Sequence, residues 1–334
     1  MSTRASSLDL RMVQQFLAVA EHLSFRKAAE QMHMAQPPLS QAIMRLEGLL
    51  ETRLFERSPR GVRLTPAGAV FRQEARRLVN QADRAVEHTR RAGRGELGSV
   101  DVAFIGPAMF AFLPRIIQAF QARHPGVDLR LHEGSSIQVA KLLETETADI
   151  GFLIPPAAVE ADIVLEDIAQ DTLTAVLPAG HRLRERAEVG LRELAGDTFV
   201  LFSSRGVPGL RSRLDDLCRR AGFEPRIVQE AVQFSTVLGL VAGGLGVSLL
   251  PGSVRALAPA GVVYKPIAAD PALLRVAISA AYRRDRLGEA AQAFLATARE
   301  YADGERPAAP CGSSGPERAD GGPAPGRADT AAPT

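Results

Sequence analysis

The amino-acid sequence predicts an α/β protein with a separate helical unit at its N-terminus. Three patterns in the 334 residues indicate this division. Apolar residues recur at helical spacing up to residue 50, a small β-ribbon follows up to residue 64, and a long helical pattern runs from residue 66 to residue 93. From residue 99 onward, short β-rich runs alternate with helices of about a dozen residues, the order typical of parallel βαβ units. We therefore expect four parts, at residues 1–65, 66–95, 96–303 and 304–334.

Charge is distributed unevenly along the chain. The whole sequence carries 40 Lys and Arg against 38 Asp and Glu, but residues 1–95 alone hold 16 basic and 9 acidic residues. A basic N-terminal part on a mildly acidic body suits a domain that binds nucleic acid beside one with a different task. No run approaches the ~20 apolar residues of a membrane span, and the N-terminus lacks an apolar signal core, so we expect a cytoplasmic protein without membrane contact.

Asp9 can cap a helix near the N-terminus, which we expect to pack behind the next two as scaffold. Two short helices separated by a tight turn are predicted between Ser24 and Leu50. Ser24 is a suitable N-cap for the first helix. Pro37 and Pro38 are tolerated only in the first turn of the second, which therefore begins near Gln36. Its inward apolar stripe consists of Leu39, Ile43, Leu46 and Leu50. Its opposite face points polar side chains outward from the first turns, as in the reading helix of a helix-turn-helix: Gln36, Ser40, Gln41 and Arg45.

A small β-ribbon is predicted directly after the second helix. Residues 54–55 and 62–64 are short apolar strands, and the sequence Ser58-Pro59-Arg60-Gly61 favours a type I turn between them. Such a wing would hold Arg57, Arg60 and Arg63 near phosphates or the minor groove. Each of these residues, taken alone, fits equally well a solvent-exposed helical hairpin that does not bind DNA. The assembled order of helix pair, Pro-started helix and Arg-rich wing favours a winged helix-turn-helix that binds DNA.

Thr65 and Pro66 begin a long linker helix, because Thr is a good N-cap and Pro suits the first turn. We expect it to end at Gly93. Apolar residues recur along it at alternating spacings of four and three, as in a short coiled-coil seam. That spacing predicts pairing of two chains, with packing on its own domain as the alternative. The seam residues are Phe71, Ala75, Leu78 and Ala82.

The pattern from residue 99 onward predicts two lobes. Strands at 99–105, 127–134 and 149–154 alternate with helices at 113–125 and 135–148, and a long strand at 163–178 leads into a second set. The chain returns to the first lobe at 276–302. Two α/β lobes joined by two crossovers have the architecture of periplasmic binding proteins, which close on a ligand in the cleft between the lobes.

Ligands of such lobes lie beyond the carboxyl ends of the strands, beside helix N-termini. The loops at 106–108, 134–136 and 202–206, and the helix start at 233–235, supply hydroxyls and free backbone N–H groups that suit an anion. The guanidinium of Arg205 suits a carboxylate. Helix capping is the alternative for each serine, and a solvated loop charge is the alternative for Arg205. The candidate residues are Pro107, Ser135, Ser136, Phe202, Ser203, Arg205 and Gln233.

The run AVAEHLSFRKAAEQMHMAQPPLSQAIMRLEGLLETRLFERSPRGVRLTPAG closely resembles the N-terminal domain of LysR-type transcriptional regulators. The family pattern L-F-x-R-x-x-x-G-x-x-L-T-x-A-G is matched completely, and S-Q-P-P-L-S at all but one position. Ala35 stands where the family usually has Ser, so the second helix loses a cap that typically contributes ~1 kcal/mol. Gln41 occupies a position that is often Arg. The order of elements from 96 to 303 is similar to the effector domain of the same family, most closely at GLVAGGLGVSLLP.

The resemblance implies a ligand-responsive regulator, without catalytic activity or cofactor, that binds double-stranded DNA as a homodimer or a dimer of dimers. It leaves RNA polymerase open as a further partner. LFSSRGVPGL and the stretch after it are similar to the branch that responds to benzoate and muconates, which implies a small aromatic or dienoic carboxylate as effector and control of catabolic genes. That similarity includes Ser135, Ser136, Phe202, Ser203 and Arg205. The residues expected at DNA are Ser24, Lys27, Gln36, Pro37, Ser40, Gln41, Arg45, Arg57, Arg60, Arg63 and Thr65.

Two other classes of protein share parts of this pattern. Residues 96–303 alone would support a solute-binding ligand carrier, but the missing signal core and the N-terminal reader argue against it. An enzyme has little support, because the six histidines are scattered and neither a P-loop nor a G-x-G-x-x-G motif is present. Cys218 and Cys311 stand too far apart to suggest a metal site. The tail from residue 304, rich in Pro, Gly, Ala and Ser, predicts disorder.

Overall fold

The computed structural model describes residues 8–58, 61–93, 98–155, 159–257 and 259–304. The predicted wing turn at 59–60, with Arg60, and the predicted tail beyond residue 304 lie outside these ranges. The N-terminal part contains three helices and a hairpin in the expected order. They are α1 (Leu10–His22), α2 (Phe25–Gln31), α3 (Gln36–Leu49), β1 (Phe55–Ser58) and β2 (Gly61–Leu64).

The side chains that the sequence predicts as N-caps fix where the helices begin. The Asp9 carboxylate accepts the backbone N–H of Arg11 at 3.0 Å, and Ser24 Oγ accepts that of Lys27 at 3.4 Å. α3 begins after Ala35 without any side-chain cap and has proline in its first turn. Because proline brings no N–H that needs a partner there, the helix start tolerates the missing hydroxyl.

Aromatic rings form the centre of the reader domain. The ring of Phe55 lies 5.2 Å from that of Phe16 and 5.8 Å from that of Phe25, measured between centroids. Leu39, Ile43 and Leu46, from the predicted apolar stripe of α3, are buried in the same cluster. Glu47 Oε1 accepts the backbone N–H of Leu54 at 2.8 Å, which fixes the wing to the end of α3.

The linker helix α4 (Pro66–Gly93) packs on the reader rather than standing free. Thr65 caps it by accepting the N–H of Gly68 at 2.9 Å. The Phe71 ring lies 4.8 Å from Phe16, and Ala75 is fully buried in the same cluster. The first half of the predicted coiled-coil seam is therefore occupied within the chain, because α1 covers it. Seam residue Leu78, further along, stays 43% exposed.

Lobe I is built on parallel strands flanked by helices, as the alternating pattern predicts. β3 pairs in parallel with both β4 and β5, and β11 closes the sheet antiparallel to β5. The strands are β3 (Ser99–Phe104), β4 (Asp128–Glu133), β5 (Ile150–Leu153) and β11 (Arg275–Arg283). The helices are α5 (Gly106–Ala111), α6 (Leu113–Arg123), α7 (Ser136–Glu144) and α11 (Glu289–Gly304).

A single long strand, β6 (Ile163–Pro178), joins the two lobes. Its first ten residues pair with β11 in lobe I, and the remainder pairs with β9 and β10 in lobe II. Lobe II also contains a parallel pair, β7 with β8. Its elements are β7 (Thr198–Phe202), α8 (Pro208–Arg220), β8 (Arg226–Ala231), α9 (Phe234–Ala242), β9 (Ser248–Pro251), β10 (Val262–Pro266) and α10 (Pro271–Leu274). Among the described residues, no helix is both long and apolar enough to span a membrane.

Two segments differ from the expectation. Residues 106–108, expected to be an open loop, begin the short helix α5, because Pro107 occupies its first turn. β10 was not predicted, because VVYKP is only five residues long and ends in proline. It is held by pairing with β6, a partner about 90 residues earlier in the chain, from Val262 opposite Pro178 to Pro266 opposite Thr174.

Candidate DNA interface and effector cleft

The outer face of α3 presents the polar side chains expected at DNA. Gln36, Pro37, Gln41 and Arg45 are exposed, and Ser40 is half-buried. Amide and guanidinium groups on the first two turns of a reading helix can pair with base edges in the major groove. Met44 adds an exposed apolar side chain to this face that the sequence pattern did not single out.

Two of the expected DNA-binding residues are engaged in the local fold. Ser24 Oγ caps α2, and the Thr65 hydroxyl donates to the carbonyl of Arg53 at 2.7 Å while it caps α4. Their hydroxyls therefore position the helices that carry the reading residues. Lys27, on α2, has an exposed side chain that is available to a phosphate.

The wing carries its cations in two different settings. The Arg57 guanidinium lies over the ring of Phe25, 4.2 Å from the centroid, so this side chain is held between the wing and α2. Arg63 is exposed on β2, directly opposite Glu56 on β1. Gly61 begins β2 with φ +124°, a conformation that favours glycine. Arg60 lies outside the described residues.

A narrow gap lies between the two lobes at the carboxyl ends of the lobe I strands, and it is nearly closed, with a volume of about 10 Å³. The lobes touch across it, since the backbone N–H of Ile137 donates to the carbonyl of Gly206 at 3.4 Å. Most of the lining is apolar. The lining residues are Ile105, Gly106, Gly134, Ser135, Ile154, Val207, Val232, Gln233 and Phe234.

Only two of the predicted effector residues, Ser135 and Gln233, line this gap. Ser136 is fully buried, and its Oγ accepts the backbone N–H of Ile154 at 3.3 Å. Phe202 is buried behind Phe234, with ring centroids 4.2 Å apart. Pro107 is buried in the first turn of α5.

The remaining two predicted effector residues belong to the loop after β7. Ser203 Oγ accepts the backbone N–H of Arg205 at 3.3 Å, and the Arg205 side chain is exposed outside the gap. The side-chain directions of these residues depend on how the two lobes pack, and the loop sequence does not reveal that packing.

The N-terminus of α7 forms the polar end of the gap. Ser135 Oγ accepts the N–H of Gln138 at 3.3 Å, and Gln138 Oε1 accepts the N–H of Ser135 at 2.8 Å, a complete capping box. The Glu133 carboxylate lies beside the gap. Its Oε1 would be 3.5 Å from a Cβ added to Gly106, one of the lining residues.

The apolar lining residues were missed by sequence reasoning, although several have a recognisable signal. Ile105 and Ile154 each come one residue after a lobe I strand, where the chain turns toward the cleft. Val232 and Phe234 flank Gln233 at the start of α9. Polar side chains alone do not mark such a cleft, because binding clefts are lined mainly by apolar ones.

Cys218 is buried in α8. Burial raises the pKa of the Cys218 thiol to about 11, so it remains protonated at neutral pH. Within the described ranges, no cluster of three His, Cys, Asp or Glu side chains is arranged to hold a metal ion.

Comparison with known proteins shows which family the chain belongs to. Residues 10–69 match the bacterial regulatory helix-turn-helix protein family of LysR type, and residues 93–303 match the LysR substrate binding domain. The chain is 34% identical over 294 residues to the HTH-type transcriptional regulator TfdS of Cupriavidus pinatubonensis, covering 87% of this chain and 98% of the relative. It is 34% identical over 278 residues to the regulator AlsR of Bacillus subtilis, covering 83% of this chain and 91% of that one.

The fold is similar to that of solved regulators. The crystal structure of CbnR, a LysR family transcriptional regulator, has a TM-score of 0.69 at 27% sequence identity and covers 88% of this chain and 99% of its own. Full-length CbnR complexed with its target DNA gives a TM-score of 0.68 at 27% identity, covering 88% of this chain and all of its own.

A winged reader joined by a long helix to a two-lobed sensor defines a DNA-binding transcriptional regulator with an effector-binding domain. The chain belongs to the LysR family of transcriptional regulators. Proteins of this family are regulators and not enzymes. Residues 10–69 match the helix-turn-helix family, so the alternative of a solute-binding ligand carrier is excluded.

Replacing Gln41 by Ala should relax base preference at one position of the operator by about 1–3 kcal/mol, because an amide that pairs with a base edge is lost. Replacing the exposed wing residue Arg63 by Ala should weaken all sequences alike and reduce the salt slope by about 1. Arg219→Ala, on α8, should change neither and serves as a control. Binding-site selection and salt titration measure both effects. An unchanged preferred sequence for Gln41→Ala would contradict its role in reading bases.

Proposed function

We propose that this regulator senses a small carboxylate with an apolar, aromatic or dienoic body, bound in the gap between the lobes. The observation that carries the proposal is an apolar slot ending at a helix N-terminus. Ile105, Ile154, Val207, Val232 and Phe234 line the slot, and Ser135 at the start of α7 lines its polar end. Once the lobes part, an apolar body would bury its surface against these walls, and a carboxylate is favoured at the positive end of a helix.

The backbone donors at this end already have partners. Gln138 Oε1 occupies the Ser135 N–H, and the Gly206 carbonyl lies 3.4 Å from the Ile137 nitrogen. A carboxylate would take the place of these neutral oxygens, and hydrogen bonds to a charged acceptor are about twice as strong as neutral ones. Moving the Gly206 carbonyl separates lobe II from α7, so this exchange would change the relative position of the lobes.

We expect Glu133, an exposed carboxylate beside the gap, to influence which charge the gap accepts. Its carboxylate lies against Gly106, whereas Arg205 points into solvent outside the gap. A bound anion would therefore meet one like charge and gain no side-chain cation there. Affinity would come from the α7 donors and the apolar walls, which favours a weak, readily reversible effector.

A response at the promoter requires that the effector prefer one arrangement of the regulator, because affinity without preference shifts no equilibrium.

We infer that the products of the regulated genes break down the carboxylate, so that the inducer is also the substrate of these enzymes. A DNA-binding regulator of this kind would act in the cytoplasm, and RNA polymerase stays a proposed partner.

The second half of the linker seam supports self-association. Leu78 and Val86 are 43% and 50% exposed, and Ala82 between them is half-buried. The opposite face of α4, at Arg77, packs on lobe I. This apolar face is therefore exposed where α4 extends past its contact with α1. Pairing with the same face of a second copy of the chain would bury it. Dimerisation would bring two readers onto two half-sites, and a dimer of dimers would extend the contact along the DNA.

Calorimetry with benzoates and muconates tests the effector. Ser135→Ala should weaken a carboxylate that binds the wild type by about tenfold, because it removes the hydroxyl at the start of α7 and with it a hydrogen bond to a charged group. Glu133→Gln should tighten it, because a like charge is removed, and should leave the neutral benzamide unaffected. Arg205→Ala is the matched surface control and should change nothing. Loss of binding in Arg205→Ala with none in Ser135→Ala would place the site elsewhere.

Leu78→Asp should give monomers with weakened operator affinity, because it places a charge in the proposed contact. Val70→Asp adds the same charge at an exposed valine of α4 that lies off the seam, and should leave the oligomeric state unchanged. Analytical ultracentrifugation at micromolar concentration measures both. A monomeric wild-type protein would end the self-association proposal.

A further inference from the structure

We infer that α7 is a mechanical link between the interlobe gap and the linker helix, so that a change at one end of α7 is felt at the other. The helix contains nine residues and is about 14 Å long. Its N-terminus lines the gap, and its C-terminus is bound by side chains of α4. The inference rests on the proposed effector site for its biological meaning, but its geometry and its test involve no effector.

At the gap end, α7 is joined to both lobes. The capping box between Ser135 and Gln138 defines its first turn. The N–H of Ile137 reaches the Gly206 carbonyl of lobe II. A Cβ on Gly206 would lie 3.6 Å from Ser135 Cβ, so the loop of lobe II rests directly on the helix start. Any change in the separation of the lobes therefore alters this turn.

At the other end, α4 side chains cap the carbonyls that α7 leaves without helical partners. Arg77 Nε donates to the Glu144 carbonyl at 2.8 Å. Asn80 Nδ2 donates to the Thr145 carbonyl at 2.6 Å and to Thr147 Oγ1 at 2.9 Å. The last carbonyls of a helix need outside donors, and a cation is favoured at this negative end. Two side chains spaced one turn apart on α4 thus serve as the C-terminal cap of α7.

Ion pairs hold α4 on the same edge of lobe I. Arg84 Nη2 lies 2.8 Å from Asp149 Oδ1, and Asp149 Oδ2 in turn accepts the N–H of Asp101 on β3. Arg77 and Arg283 both bind Glu160. Burial acts to raise the pKa of the Glu160 carboxyl, but the hydrogen bond from Arg283 and the charge of Arg77 outweigh it, and the net pKa is lowered. The docked position of α4 is therefore maintained by charged contacts at neutral pH.

The body of α7 is packed too closely to absorb movement between its ends. Val139, Ala140 and Leu143 are buried against the sheet. At Gly151 on β5, an added Cβ would lie 2.6 Å from Val139 Cγ1 and 2.8 Å from Leu143 Cδ1. The helix therefore sits directly on the strand backbone. Close-packed interiors transmit displacements rather than damp them, so α7 moves as one piece.

Hydrogen–deuterium exchange of the full-length protein tests the link from the α4 end. The double variant Arg77→Ala, Asn80→Ala removes the C-terminal cap. We expect amide exchange to rise at least threefold at 143–148 and also at 135–139, in the turn beside the gap. Arg72→Ala removes an exposed arginine of the same helix and should leave both peptides unchanged. A rise confined to 143–148 would overturn the link and leave α4 docking as local packing.

The reverse experiment perturbs the gap end. Gln138→Ala breaks the capping box, and we expect faster exchange at 76–84 of α4 as well as at 135–139. Coupling between two sites is reciprocal, so both variants must act at a distance. An effect in one direction only, or in neither, overturns the proposal. Failure of every carboxylate to bind would instead remove the proposed effector and leave these exchange results standing.

Discussion

The linker helix α4 has two opposite faces, and the arrangement of the whole chain depends on them. One face is apolar and packs against α1 through Phe71 and Ala75. The other is polar and docks on lobe I through Arg77, Asn80 and Arg84. One rigid helix thereby fixes the reader at one side and the sensor at the other. Together the two contacts connect lobe I to the domain that carries the DNA-reading residues.

The two contacts differ in strength and in reversibility. The aromatic contact buries apolar surface and is lost only when the reader unfolds. The polar contact consists of hydrogen bonds and ion pairs between half-buried side chains, whose partners water can replace when the two surfaces part. The interface between linker and lobe I is therefore the one that can change with the state of the sensor, while the reader stays intact. This difference between the two contacts would let lobe I change its contact with α4 without disturbing the fold of the reader domain.

The sequence predicted what depends on local chemistry. The caps at Asp9, Ser24 and Thr65, the Pro-started reading helix, the wing and the alternating strands are each specified within a few residues. It did not predict which partner covers an apolar stripe: the spacing of Phe71 and Ala75 fits a second chain as well as α1. Side-chain direction in the cleft loops was equally inaccessible, as Ser136 and Arg205 show. The contact of Asn80 with Thr147 joins residues 67 positions apart, and no local pattern marks it.

The most direct test of this account is a crosslink between the linker and lobe I. In a chain whose two natural cysteines are replaced by Ser, Cys would be introduced at Asn80 and Thr147, whose side chains are in contact. Val79→Cys with Thr147→Cys is the matched control, because Val79 packs toward the reader core. Mild oxidation followed by mass spectrometry of the monomer band should reveal an intrachain disulfide in the first pair and none in the second. Absence of that disulfide in the first pair, or equal formation in both, would contradict the docking of α4 on lobe I.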